Sequence, residues 1–485
     1  MKVLRGMRTA TFRRLPALAL VLAGGCLTSG PDYHPPTVSV PANWNAQVAK
    51  TAGAAPRDAP ALDHWCLVFR DPVLGDLVAT ARTNNLDLKQ AEARVRQARA
   101  QRNLSRADQL PTMTASASAS RTRSGGQQGA GIYSSSFAGG LDATWELDLF
   151  GGRRREVESA EASLQASQEA WRDVMVSLLA EVALNYVQYR SCQARLAITE
   201  TNLAAQTETH AITRWRQQAN LVTQLDVDQA RVILEQTRAE LPALHTSLDQ
   251  AEHQLATLLG VAPGSLKSRL DAGPAVVPVA EASIAVGVPA DVLRQRPDVR
   301  EAERRLAAQT AQIGVAAATR YPDLSLHGSI GVEALHVADL HTAGARTAQG
   351  LLQAAWTAFD GGRIREKVNV QTALQEECLA AYQAAVLTAL KDVEDALVAY
   401  ANESTRQQAL REAATAGESA FRLARDKYAA GLVDFQTVLS TQQSLLAVQT
   451  TLASSRADEA SDLIRLYKAL GGGWTPEAPR DGGNL

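Results

Sequence analysis

The sequence predicts a mainly α-helical chain with a smaller membrane-type β component, built from two similar halves. Three observations carry that prediction. Shifting the chain by 211 residues aligns Asp87 with Asp298, Ala91-Glu92 with Ala302-Glu303 and Pro111 with Pro322. The same shift aligns Trp145 with Trp356, Leu221-Val222 with Leu432-Val433 and Leu259-Gly260 with Leu470-Gly471. One offset that holds from end to end marks an internal two-fold repeat. Secondly, the stretches Gly152 to Ala219 and Gly362 to Ala430 contain no Pro, and their only internal Gly is Gly417. Thirdly, four segments alternate apolar and polar residues with the period of a half-buried strand. Aromatic residues are only 5% of the 485, and the 21% that are charged nearly cancel to a net charge of -2. That balance suits long solvated helices and leaves no basic footprint for nucleic acid.

Residues 1–25 read as a lipoprotein signal peptide. Lys2, Arg5, Arg8, Arg13 and Arg14 form a basic start, and Leu15 to Gly25 an apolar run too short to span a bilayer. The run ends Leu22-Ala23-Gly24-Gly25-Cys26, which resembles a bacterial lipobox, with Ala23 where Leu is usual. Cys26 is therefore the expected lipidation site and mature N-terminus in the outer membrane. The alternative is an ordinary signal peptide with an incidental Cys. Leu27 follows, and not the Asp that favours inner-membrane retention. Residues 26–74 read as a lipidated extended segment, whose Pro-rich part from Pro31 to Pro60 is expected along the outside of the body. The remaining Cys66, Cys192 and Cys378 are far apart and odd in number, so they suggest neither a disulfide framework nor a zinc site.

Residues 75–262 form the first repeat: a helix, two strands at about 111–149, a long helix and a returning helix. In the first strand, Thr112 to Arg123, Met113, Ala115, Ala117 and Ala119 alternate with Thr114, Ser116, Ser118 and Ser120. In the second, Phe137, Leu141, Ala143, Trp145 and Leu147 alternate with Asp142, Thr144, Glu146 and Asp148. Each is about the length a tilted strand needs to cross a membrane, with one face fit for lipid and the other for a lumen. A soluble sheet with one wet face has the same period. Four strands cannot close a barrel, and open edges leave backbone groups unsatisfied in lipid. The barrel is then shared between copies, eight strands from two or twelve from three.

The long helix beginning at Gly152 would extend roughly 100 Å at 1.5 Å per residue. Val176, Leu179, Ala183 and Tyr186 fall at coiled-coil spacing, as do Val386, Leu390, Val393, Leu397 and Tyr400 in the second half. Residues 263–290, rich in Pro, Gly, Ala and Val, read as a surface linker. Residues 291–471 form the second repeat, with strands at about 322–359 (Leu324 to Val332 and Leu351 to Phe359), and 472–485 a C-terminal tail. Tight turns are expected at Asn220-Leu221-Val222-Thr223 and Gly431-Leu432-Val433-Asp434, each opening on a residue type that tolerates the left-handed conformation.

Several motifs then converge. Gly30-Pro31-Asp32-Tyr33 is followed by Pro36, Pro41 and Trp44. Next come Trp65, Phe69, Asp71-Pro72 and Leu74, with Cys66 where a second Trp is common. Val288-Pro289-Ala290-Asp291-Val292-Leu293 precedes Arg296-Pro297-Asp298-Val299 and Ala302-Glu303. Across nearly the whole mature chain this resembles the outer membrane factor (TolC-like) family, in its NodT-type efflux lipoprotein branch. The resemblance implies a homotrimer whose 12-stranded β-barrel, four strands per chain, is continuous with a long periplasmic α-helical coiled-coil tunnel. It implies a duct that passively conducts small molecules outward, with no cofactor and no metal. The implied partners are outer-membrane lipid, a periplasmic adaptor and an inner-membrane pump of the resistance-nodulation-division type.

The resemblance also assigns adaptor docking to the tips Asn220, Leu221, Val222, Thr223, Gly431, Leu432 and Val433. It places a periplasmic gate at Asp434, Gln436, Thr437 and Ser440. Relatives often have Leu and Asp where this chain has Gln436 and Ser440, so closure here would rest on size and hydrogen bonding, with Asp434 adding charge. Tyr428 and Asp226 match positions that pair across helices in some relatives, while Val433 replaces a basic partner. Two other functions fit parts of the pattern: the exit duct of a type I protein or peptide secretion system, and a non-conducting lipid-anchored coiled-coil scaffold. An enzyme does not, since the chain has no P-loop, HExxH or GxSxG. His327, Glu333, His336 and His341 are the nearest thing to a metal cluster, and a polar extracellular loop accounts for them equally.

Overall fold

The computed structural model describes residues 28–45, 62, 65–125, 132–279 and 289–474. The signal peptide, Cys26 and most of the tail lie outside the described residues. Helices α1 (Pro72–Asn84) and α2 (Leu86–Ala107) lead into strands β1 (Thr112–Ser124) and β2 (Ile132–Glu146). Then come the long helix α3 (Gly152–Gln218), the returning helix α4 (Gln224–Leu258) and the short helix α5 (Lys267–Asp271). The second half has α6 (Pro289–Gln295), α7 (Pro297–Ala318), β3 (Asp323–Ala334), β4 (Arg346–Ala355), α8 (Arg363–Ala429) and α9 (Phe435–Ala469). Helices α3 and α8 are 67 residues each and α4 and α9 are 35 each. No described helix is long and apolar enough to cross a membrane.

The chain divides into two compact units, and each draws on both halves of the sequence. One comprises Met1–Pro36, Arg96–Ala166 and Glu303–Ala381; the other Thr37–Val95, Ser167–Ala302 and Tyr382–Leu485. In the first unit the strands make one antiparallel sheet in the order β1-β2-β3-β4. The N-terminal segment is clasped there by Arg155, which is buried. Its guanidinium donates to the carbonyls of Ser29 and Gly30 and to the Asp32 carboxylate. Gly30 has φ +83°, and a Cβ on it would come within 2.5 Å of Gly314 Cα, so this close approach requires glycine.

In the second unit the seam residues Val176, Leu179, Ala183 and Tyr186 of α3 are buried in one core with Leu255, Leu259, Leu463 and Ile464. Each Val, Leu or Ile among them removed from water contributes about 1.5–3 kcal/mol. Trp65 stacks on Tyr467 at 5.6 Å and meets Phe69 edge-on at 6.3 Å. Trp44 is buried against Val292, Val393 and Leu397, which pins the end of the extended segment to this unit.

Two expectations need correction, and one sequence feature finds its reason. The fourth strand was expected at Leu351 to Phe359 but runs from Arg346 to Ala355, because its last rung pairs Ala355 with Asp323, the first residue of β3. Trp356 and Phe359 therefore lie beyond the strand. The linker is not wholly superficial: Leu266, Leu270 and Val277 insert into the core, with α5 carrying Leu270, and the helix of the second half already begins at Pro289. Gly417 does not interrupt α8, and a Cβ there would sit 3.4 Å from Leu445 Cδ1 of α9, so it serves helix packing.

Candidate functional site

The register of the sheet fixes which side chains share a face. Met113, Ala115, Ala117 and Ala119 of β1 align with Phe137, Leu141, Ala143 and Trp145 of β2. These continue into Leu324, Leu326, Ile330 and Val332 of β3, then Ala348, Leu352 and Ala354 of β4. The opposite face carries Ser116, Asp142, Glu146, Ser325, His327, Glu333 and Gln349. Its polar groups bond to one another across the strands. Ser116 Oγ donates to Asp142 at 3.2 Å and Ser136 Oγ to Glu333 at 3.1 Å, and His327 lies between Thr144 (3.3 Å) and Ser325 (2.9 Å).

Gly140 and Gly331 sit opposite one another on the polar face. A Cβ on them would approach backbone oxygens at 2.9 and 2.7 Å. Glycine at both positions lets the two backbones approach closely on this face. Strands β1 and β4 have one neighbour each, so both edges are open in the single chain. Trp145 closes the helix-proximal end of the apolar face, its indole N–H donating to Gln109 O at 2.9 Å. Trp356 donates to Arg320 O at 3.1 Å, the same contact 211 residues on.

The two helix turns belong to the second unit. Asn220 (φ +58°) and Gly431 (φ +73°) both adopt the left-handed conformation. Leu221 N donates to Arg216 O and Asn220 N to Gln217 O; Leu432 N donates to Lys427 O and Gly431 N to Tyr428 O. These are Schellman closures, which satisfy the last carbonyls of α3 and α8. The returning helices start on side-chain caps. Asp226 accepts from Thr223 N (2.8 Å) and Thr223 Oγ1 (2.7 Å), and Asp434 accepts from Thr437 N at 2.9 Å. Leu221 and Leu432 are 70% and 73% exposed, so each tip presents a bare apolar residue.

The residues expected to form the gate lie at the start of α9, from its N-cap to its second turn. Asp434 is the N-cap, and its hydrogen bonds from the Thr437 side chain and backbone hold its carboxyl below the usual range, so it stays ionised. Gln436 and Ser440 are exposed, and Ser440 Oγ is turned back onto Thr437 O at 3.1 Å. Within the chain Asp226 is engaged by Thr223 and not by Tyr428. The Tyr428 ring lies under the Arg216 guanidinium (4.7 Å) and beside Phe435 (5.4 Å), with its hydroxyl buried and unpartnered.

Arg296 stands in the sequence as one residue of the Arg296-Pro297-Asp298-Val299 motif, and its role is structural. Arg296 Nε and Nη2 clamp Asp298 at 3.0 and 2.6 Å, Nη2 also reaches Asp392 at 3.2 Å, and Nη1 donates to Ala469 O at 3.0 Å. It ties the α6–α7 junction to α8 and to the end of α9. Asn85 makes the equivalent staple 211 residues earlier, donating to Leu258 O at 2.9 Å. A cleft of about 420 Å³ beside Arg296 is lined by Asp173, Asp392, Asp462 and Lys468. Burial, with the Asp298 charge, raises the Asp173 pKa despite Arg296 and Lys468.

Arg190 was missed altogether. It is fully buried, donating to Tyr186 Oη at 2.9 Å and Gln193 at 2.7 Å, and Tyr186 in turn donates to Asp71 at 2.7 Å. The spacing of Tyr186 and Arg190 by one helical turn was the available signal. Tyr189 beside them has its pKa pushed up to about 12, by burial first and then by Asp271. Among the described residues no group of three or more His, Cys, Asp or Glu is arranged to hold a metal. His327 belongs to the polar sheet face, and His336 contacts Asp339 at 3.5 Å.

Comparison with known proteins places these features in a group. The sequence profile described as "Outer membrane efflux protein" matches residues 77–261 and 288–472. The solvent efflux pump outer membrane protein SrpC of Pseudomonas putida is 32% identical over 468 residues, 96% of this chain and 99% of that protein. Nodulation protein T of Rhizobium leguminosarum bv. trifolii is 32% identical over 474 residues, 96% and 97% of the two chains. Among solved structures, the outer-membrane channel OprN superposes with a TM-score of 0.87 at 33% identity, covering 93% of this chain and 100% of that one.

Proposed function

The chain belongs to the outer membrane efflux protein family, and on that premise we propose that three copies join their sheets into one 12-stranded barrel, the exit of a tripartite efflux system. The protein is an outer-membrane channel of that system, with its long helices in the periplasm. The observation that carries the barrel is the two-faced sheet with two open edges. One face is apolar from β1 to β4, and the other carries bonded polar groups with Gly140 and Gly331 paired among them. In lipid such edges must pair, and identical copies supply the missing strands. The polar faces then line a water-filled lumen. Conduction through it needs no covalent chemistry, only a polar wall and a constriction.

The N-terminal segment supports lipid anchoring at Cys26. Ser29 N donates to Phe150 O at 3.0 Å, which holds the chain three residues after Cys26 beside the end of β2, the strand that carries Trp145. An acyl chain on Cys26 would start close to the membrane edge of the sheet. The helix tips are read as the adaptor-docking ends, with Leu221, Val222, Leu432 and Val433 as contacts and Asp434, Gln436, Thr437 and Ser440 as the constriction. The pump behind the adaptor is read, from the motifs of the NodT-type branch, as a resistance-nodulation-division transporter, and the name of SrpC as part of a solvent efflux pump supports small-molecule cargo.

A photo-crosslinking residue at Val222 or Val433 in living cells tests this reading. Capture of an adaptor encoded with a resistance-nodulation-division pump is expected. Capture of an ABC-exporter adaptor would keep the channel and move its cargo to peptides or proteins. Absence of any specific partner at both tips would remove the docking assignment.

A further inference from the structure

Arg121 and Arg123 are exposed and lie on the apolar face of the sheet, not on its polar face. In β1 they continue the row Met113, Ala115, Ala117, Ala119, and in the register they stand opposite Ser135 and Tyr133 of β2. Both guanidiniums cover the Tyr133 ring, at 5.2 and 5.4 Å from its centroid. Arg346 opens β4 on the same face. Every carboxylate of the sheet, Asp142, Glu146, Asp323 and Glu333, lies on the other face. The apolar face therefore holds three cations and no anion, and a second copy of the chain would bring the same acid-free face.

Height along the strand says what meets these cations. Trp145 marks the helix-proximal border, and ten residues separate it from Ser135, the partner of Arg121. At about 3.4 Å per residue and a tilt of about 35–45°, Arg121 stands roughly 24–28 Å above Trp145. The lipid-facing apolar band of such barrels is about 25 Å tall and is bounded by aromatic girdles. Tyr133 is then the outer girdle residue, and Arg121 and Arg123 sit at headgroup depth on the leaflet away from the periplasm. Long arginine side chains extend there from an apolar surface to a charged layer. That leaflet is built on phosphorylated glycolipid, and guanidinium recognises phosphate by paired, charge-assisted hydrogen bonds.

We propose that Arg121, Arg123 and Tyr133 form a binding site on the lipid-facing rim for the phosphate of an outer-leaflet glycolipid headgroup. The site rests on the barrel reading above and adds a specific lipid to it. The phosphate binds between the two guanidiniums, Tyr133 holds them together from below, and Arg346 adds positive potential on the same face. The lipid would brace the β1–β2 hairpin, which extends past its pairing with β3: the last β2–β3 rung is Phe137–Ala334, whereas β1–β2 pairing continues to Ser124–Ile132.

The test uses the full chain and its Arg121→Gln/Arg123→Gln variant, each purified in detergent. Native mass spectrometry counts retained bisphosphorylated lipid A, dephosphorylated lipid A and phosphatidylcholine, with inorganic phosphate as competitor. Conductance of the same samples is recorded in planar bilayers. The expected result is retention of bisphosphorylated lipid A by the wild type, about tenfold to thirtyfold weaker in the variant. The other two lipids should be held equally by both proteins, and both should conduct alike. Equal retention of lipid A by both proteins overturns the site. So does complete displacement by millimolar inorganic phosphate, which would make it a free-anion site. Wild-type protein that conducts without preferring phosphorylated lipid refutes this inference alone, whereas failure of both proteins to enter bilayers refutes the barrel reading beneath it.

Discussion

Replacing Arg296 with Met should loosen one defined part of the helical unit. The Arg296 side chain is 10% exposed, and its carboxylate partners Asp298 and Asp392 are 31% and 39% exposed. Removing one member of a fully buried pair costs about 3–5 kcal/mol. Partial hydration of both aspartates reduces that by roughly half, because the abandoned carboxylates reach water. Loss of the bond to Ala469 O adds about 0.5–1.5 kcal/mol, and Met keeps most of the packing of the aliphatic stem.

The net is about 2–4 kcal/mol, which corresponds to roughly 30- to 700-fold faster exchange of amides that open locally. Hydrogen–deuterium exchange should place that change in α6, the first turn of α7 and the last turn of α9. Arg296→Lys keeps the charge but not the two-pronged geometry and should fall between. A change below threefold, or one spread evenly over the chain, would show that Arg296 is not the tie described here.

Three further outcomes follow from the same geometry. Because the folded-state pKa of Asp173 is raised above its ordinary 3.8, the folded chain binds that proton more tightly, and stability falls as pH rises from about 3.8 through the folded value. Asp173→Asn should therefore melt higher than wild type at pH 7, with the gain vanishing as pH falls toward 4; a gain that grows with acid would reverse the sign. Leu141→Lys, on the middle of the apolar face, should cost about 2–4 kcal/mol of membrane insertion, and Trp145→Lys at its border only about 0–1 kcal/mol. Equal yields of heat-resistant oligomer from the two variants would contradict that ordering. Asn220→Val should cost about 1–2 kcal/mol at the first tip, where φ is +58°, whereas Asn220→Gly should cost nothing. Proteolysis rates at residues 217–223 distinguish the two.

The elements best read from sequence were those set by local chemistry. Asn220 and Gly431 end their helices in the left-handed conformation because only such residues adopt it cheaply, and the Pro-free run before each is one long helix. The face of each strand was legible from its alternation. The extent of the fourth strand was not, because Trp356 matches Trp145 in the repeat while strand length depends on the pairing partner, and β3 supplies no rung beyond Asp323. Leu266 and Leu270 looked like linker because nothing in a Pro- and Gly-rich stretch shows what its two leucines will touch. The same limit hid Arg190 and the task of Arg296. Asp71, which Arg190 reaches only through Tyr186, and Ala469, which accepts from Arg296, lie more than one hundred residues away in the chain. Arg121 and Arg123 were visible as letters in a strand, but their place on the apolar face beside Tyr133 needed the register.

The open edges of the sheet have a genetic consequence. In the proposed barrel, where another copy completes each open edge, β1 and β4 of each subunit would be a shared possession of the assembly. A mutation that spoils either edge, such as a proline that removes a ladder donor, would not remain the fault of its own chain. Co-expressed with normal protein, it would be drawn into mixed rings and deny them closure, so that a defective allele behaves as dominant. A null allele, which contributes no strand at all, would be recessive.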